Sequence, residues 1–99
     1  MKETHTVASH HNTPSFSPDY RPILTLFPGA RVRFETDDSA YKRLAQGESF
    51  HSIGLESFNS VTGPVAVEGA EPGDSLRIKI LEVRIHRAWA AWIRNFGPL

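Results

Sequence analysis

Ser75-Leu76-Arg77-Ile78-Lys79-Ile80-Leu81-Glu82-Val83-Arg84-Ile85-His86 is the strongest β-type run in the chain. Leu76, Ile78 and Ile80 share one parity, with Arg77 and Lys79 on the other. From Leu81 the parity changes, and Leu81, Val83 and Ile85 alternate with Glu82, Arg84 and His86. Side chains of a strand alternate between faces, so a straight strand cannot keep one buried face across that change. A bulge or bend near Ile80–Leu81 is therefore expected. Trp89, Trp92 and Ile93 would continue as another strand or a helical turn.

The pattern repeats upstream. Val65 and Val67 alternate with Ala66 and Glu68, ahead of the turn Gly69-Ala70-Glu71-Pro72-Gly73-Asp74. Earlier, Ile23 to Phe27 and the alternating Arg31 to Thr36 flank Pro28-Gly29. Proline then glycine is a type II turn signature, and two strands around it suggest a hairpin with Val32 and Phe34 facing the core. Pro28 to Phe34 echoes Pro72 to Ile78, as expected of two hairpins with the same turn chemistry. Asp37-Asp38-Ser39 offers helix caps before Ala40 to Gln46, with Tyr41 and Leu44 on one side and Gly47 as a stop. Residues 48–63 read as irregular or as one weak strand. Residues 1–21 read as loop-rich, with a short edge strand at Thr4 to Ala8. The expected fold is mostly β, an antiparallel sandwich or barrel-like sheet with one short helix.

With 99 residues, the chain has room for one small domain. Eleven basic residues balance eleven acidic ones, which argues against nucleic acid or an anionic membrane surface as partner. No run approaches the ~20 apolar residues needed to span a bilayer, and the N-terminus lacks the apolar core of a signal peptide. There is no cysteine, so disulfides, thiolate zinc sites, type-1 copper and cysteine nucleophiles are excluded. A cytoplasmic setting is the expectation. The end, Trp89 to Leu99, is apolar where termini are usually polar, and it reads as a chain cut within a domain.

Several residues carry chemistry. His10 and His11, with Asp19 downstream, offer ligands of the kind zinc takes, although adjacent residues in a strand point apart and their spacing matches no zinc motif. His51 lies near Ser49, Ser52 and Glu56, without the G-x-S-x-G elbow of a serine hydrolase. His86 falls on the polar parity of its strand. Asn59 to Pro64 is a polar loop entering a strand, able to shape a small-ligand pocket with Asn59, Thr62 and Gly63. Glu68 would need a partner if it pointed inward.

Val61-Thr62-Gly63-Pro64-Val65-Ala66-Val67-Glu68-Gly69-Ala70-Glu71-Pro72-Gly73-Asp74, running into Ser75 to Val83, resembles the N-terminal signature of the acetamidase/formamidase family. Pro22 to Thr36 resembles a second segment of it, in the same order. Ala30 stands where the family has aspartate. Phe16 fits an N-terminal aromatic, but Thr13 occupies the place of the histidine before it, leaving His10 and His11 as displaced candidates. Asp38 to Phe50 looks like an insertion. The family's later G-D-x-H-A-type motif has no counterpart here.

The resemblance implies hydrolysis of short linear amides, formamide or acetamide, to carboxylate and ammonia. It also implies a divalent metal, zinc or similar, that polarises the carbonyl and activates water. On this reading residues 1–99 are a partial N-terminal domain, inactive alone. The alternative is a non-catalytic β-module that binds a ligand or forms homo-oligomers through open strand edges.

Overall fold

The structure is a computed structural model, and it describes residues 3–90. Six short strands form three separate two-stranded sheets. Strand β1 (Thr4–Val7) pairs in parallel with β4 (Arg31–Phe34). Strand β2 (Asn12–Thr13) pairs antiparallel with β5 (Val61–Thr62). Strand β3 (Leu24–Leu26) pairs in parallel with β6 (Val65–Val67). Two of the three pairs are therefore parallel, and the expected antiparallel sandwich or closed barrel is not what forms.

The reason lies at Pro28-Gly29. The expected turn is present, since the Ala30 amide donates to the Phe27 carbonyl at 3.0 Å and Gly29 sits at φ 88°. That positive φ is what the third position of a type II turn requires. A type II turn opposes the natural twist of a two-strand ribbon and splays its arms. Hence β3 and β4 diverge to β6 and β1 instead of closing a hairpin. Glu71 to Asp74 repeats the geometry, with the Asp74 amide on the Glu71 carbonyl at 3.0 Å and Gly73 at φ 96°. It too leads away from a hairpin.

Helix α1 (Ser39–Ala45) lies between Asp38 and Gly47, as expected, although no side chain caps its start. A second helix, α2 (Phe50–Ile53), and a 3₁₀ turn (Leu55–Asn59) occupy the stretch read as irregular, so there are two α-helices where one was expected. Ser49 starts α2 by accepting from the Ser52 amide at 3.1 Å. Tyr41 meets Phe58 edge-on at 5.1 Å, and Phe50 stacks on Phe58 at 5.2 Å. These rings join α1, α2 and the 3₁₀ turn, and Leu44 is half-buried beside them on α1's inner side. The buried apolar side chains are Val7, Leu26, Ala40 and Ile53, one from β1, β3, α1 and α2 in turn. Val32 is half-buried, but Phe34, expected in the core, is 44% exposed.

The largest departure concerns Ser75 to His86. Among the described residues it enters no sheet. Its six apolar side chains are between 59% and 76% exposed. The radius of gyration, 16.3 Å, exceeds the ~13 Å of a compact domain of about 100 residues. The alternation is real, yet a strand needs a neighbour for its backbone, and among the described residues this segment has none.

The far end of this arm is tied back. The Trp89 indole N–H donates to Asp38 Oδ2 at 2.7 Å across 51 positions of sequence. Lys42 Nζ approaches Asp38 Oδ1 at 3.5 Å and Arg87 approaches Oδ2 at 3.8 Å. The Trp89 bond, ahead of the two cations, holds the Asp38 carboxyl below the usual aspartate range. Asp38 thus marks the start of α1 without capping it by its side chain. Trp92 and Ile93 lie outside the described residues.

A carboxyl whose pKa falls on folding stabilises above its unfolded pKa and loses that contribution as pH drops through the lower folded value. Asp38→Ala is therefore expected to lower the urea midpoint at pH 7. The gap to the wild type should close as pH falls below about 4. A gap that stayed constant to low pH would show that the carboxylate's charge is not what holds Trp89.

Candidate functional site

The segment from Val61 to Val67 places the site, because each of its first residues is engaged in a different direction. The Gly63 amide donates to the His11 carbonyl at 2.8 Å, extending β2·β5. The Pro64 carbonyl accepts from the Ile23 amide at 2.8 Å, and the Glu68 amide donates to the Leu26 carbonyl at 2.7 Å, bracketing β3·β6. The Thr62 hydroxyl donates to the Glu35 carbonyl at 2.6 Å, just past β4. Glu35 in turn donates its amide to the Val7 carbonyl at 3.0 Å. Gly63 is buried, with φ 124°.

An open cavity of about 280 Å³ lies against this junction. Thr62, Pro64 and Val65 form one wall and Phe34 another. Thr13, Ser15, Phe16, Ser17 and Tyr20 of the N-terminal segment line its other side. That segment is shaped by its own hydroxyls. Thr13 Oγ1 donates to the Ser15 carbonyl at 2.9 Å, and the Ser15 and Tyr20 hydroxyls share a hydrogen bond of 2.9 Å. The Asp19 amide donates to Ser17 Oγ at 3.2 Å. The result is a mostly apolar hollow carrying several hydroxyls, able to hold a small molecule with one polar end.

Of the residues singled out from sequence, Thr62 lines the cavity, and Gly63, next to it in the chain, does not. Asn59 lies exposed at the end of the 3₁₀ turn, and Glu68 is exposed past β6; neither lines the cavity. His11 reaches the site through its backbone. The His10 and His11 rings lie 4.0 Å apart, tilted by 41°. No group of three or more His, Cys, Asp or Glu side chains able to hold a metal gathers among the described residues. The two imidazoles fall short of a tetrahedral zinc site, so they do not by themselves fit a metal centre.

His51 stands exposed on α2. Its neighbouring hydroxyls are engaged elsewhere: Ser49 caps the helix and Ser52 Oγ donates to Glu48 Oε2 at 3.1 Å. Glu48 also pairs with Arg43, which is the main cause holding its carboxyl below the usual range. His86 is exposed. Ser15, Ser17 and Tyr20 were not visible from sequence as site residues. They sit in a segment without periodicity, and only the β2·β5 pairing brings them to Thr62.

This arrangement is a small open hollow beside the T-G-P segment of a mostly β chain. The Acetamidase/Formamidase family matches residues 2–96. The chain belongs to that family. Among curated relatives, an acetamidase from Mycolicibacterium smegmatis is 32% identical over 69 residues, which is 67% of this chain and 17% of the relative. A formamidase from Methylophilus methylotrophus is 33% identical over 69 residues, with the same two shares. The chain thus spans less than a fifth of the length of these relatives along the match. No solved structure matches it with comparable significance.

Thr62→Val removes one hydrogen bond, to the exposed Glu35 carbonyl, at constant shape. The expected cost is about 1 kcal/mol, a fall in Tm of roughly 4–8 °C for a domain of this size. Gly63→Ala has room, since the added carbon would meet nothing nearer than the Val65 nitrogen at 3.5 Å. Its cost is conformational, about 1–3 kcal/mol at this positive φ. Thermal melts of both variants check this; an unchanged Tm in both would remove the junction from the account of stability.

Proposed function

We propose that this chain supplies the N-terminal, substrate-facing part of a short-amide hydrolase that converts formamide or acetamide to carboxylate and ammonia. The observation that carries the reading is the family match over residues 2–96, which includes the T-G-P segment at the cavity. The relatives named acetamidase and formamidase support the substrate class. In this proposal the amide's apolar end rests on Phe34, Pro64 and Val65, and the hydroxyls of Thr13 and Tyr20 offer hydrogen bonds to its polar end.

Water activation in this proposal depends on residues beyond these 99. A divalent metal such as zinc would polarise the carbonyl, but it would need ligands in addition to His10 and His11. The cytoplasmic setting is part of the same reading; among the described residues, no helix is long and apolar enough to cross a membrane. A second reading, a non-catalytic binding or self-association module, is favoured by the exposed apolar arm.

Purified chain, with zinc added, is expected to release no ammonia from formamide or acetamide, or only traces. Acetamide should still shift the amide resonances of Thr13, Thr62 and Val65, with affinity on the order of millimolar for so small a ligand. Vigorous turnover would overturn the division of labour. Absence of any shift would remove the cavity as the binding region.

A further inference from the structure

The hydroxyls of the residues lining the cavity differ in what they have left to offer, and their protons can be traced one by one. The Thr62 hydroxyl is bonded to the Glu35 carbonyl at 2.6 Å. The Thr13 hydroxyl is bonded to the Ser15 carbonyl at 2.9 Å. A carbonyl oxygen has no proton to give, so in both bonds the hydroxyl is the donor. Each threonine has then used its one proton and keeps only lone pairs. Ser15 and Tyr20 share one hydrogen bond of 2.9 Å, which uses one of their two protons and leaves the second. Ser17 Oγ accepts from the Asp19 amide at 3.2 Å, a bond that does not use its own proton. Among the described residues, no charged side chain lines the cavity.

An occupant matched to this set is neutral and carries both donors and an acceptor at one end. A carboxylate has acceptors alone, so it finds no partner at the threonines and leaves its charge uncompensated. A primary amide has two N–H donors and a carbonyl oxygen. We propose that Thr13 and Thr62 are specificity-determining residues of the cavity. They accept from the N–H groups of a primary amide, while the spare proton of the Ser15–Tyr20 pair or of Ser17 goes to its carbonyl.

The hollow thereby favours the amide over the acid that hydrolysis leaves, and over amides alkylated at nitrogen. This selectivity rests on the cavity being the amide-binding region proposed above. Apolar contact alone gives the reverse order, because each methyl added to nitrogen enlarges the area that Phe34, Pro64 and Val65 can cover. Size does not exclude the alkylated amides either. N,N-Dimethylacetamide has six non-hydrogen atoms, and at a liquid-like ~30 Å³ for each it fits within the 280 Å³ of the cavity.

The test titrates the purified 99-residue chain with acetamide, N-methylacetamide, N,N-dimethylacetamide and acetate, followed by the amide resonances of Thr13, Thr62 and Val65. Binding is expected to weaken at least about twofold with each N–H lost. Acetate should bind at least about tenfold more weakly than acetamide. Thr13→Val leaves the Thr62–Glu35 bond in place and should cut the preference for acetamide over N,N-dimethylacetamide about threefold, with Thr13→Ser restoring it. Thr62→Val and Thr62→Ser form the same pair at the opposite wall; the wild-type series and the Thr13 pair decide the matter if Thr62→Val is too unstable to titrate. A structural role alone would weaken all four ligands alike and leave their ratios unchanged. Methylated amides that bind as well as acetamide or better, acetate that binds as well as acetamide, or ratios that the valine variants leave unmoved would overturn the proposal, while acetamide binding itself keeps the cavity as the binding region. No shift with acetamide would overturn both.

Discussion

The segment Val61–Val67 must satisfy three neighbours at once, and the rest of the structure follows from that. Its first residues pair with β2, its last with β3, and the hydroxyl between them reaches the end of β4. No other element of the described residues touches all three sheets by hydrogen bonds. Among the described residues four apolar side chains are buried, so hydrophobic burial alone is thin there. Directed hydrogen bonds at the junction therefore decide which strands meet.

The cavity is a by-product of this junction. Thr62 is tied to Glu35 on one side and lines the hollow on the other. The β2·β5 pair carries the N-terminal segment across, bringing Tyr20 and Ser15 over Pro64 and Val65. Junction and cavity thus share the same few residues, so changes that loosen the one should disturb the other.

Local features were legible in the sequence where they depend on local chemistry. Both Pro-Gly turns form, α1 falls between Asp38 and its glycine, β1 lies within the short strand read at Thr4 to Ala8, and β6 appears where alternation places it. What was not legible is pairing. Turn residues at Pro28-Gly29 announce a reversal but not whether its arms stay together, and the twist of a type II turn separates them. The helices of 50–59 hide because their aromatic residues follow no clear period until Phe50 and Tyr41 are seen to meet Phe58. The family was legible because the T-G-P and E-G-A-E-P-G-D spacing is local. Thr62, singled out within the same motif, lines the cavity; Ser15, Ser17 and Tyr20 line it too but carried no signal, since only tertiary pairing brings them there. Asn59 and Glu68 flank the same motif but end outside the cavity.

The most direct test of the junction is amide hydrogen exchange on the purified chain, resolved by residue. Gly63, Ile23, Glu68 and Glu35 donate the bonds that extend the three strand pairs at the junction, so their amides should be among the slowest to exchange. The amides of Leu76 to Ile85 should exchange near the rate of an unstructured chain. Rapid exchange at Gly63 and Glu35, or protection in the arm equal to theirs, would contradict the account.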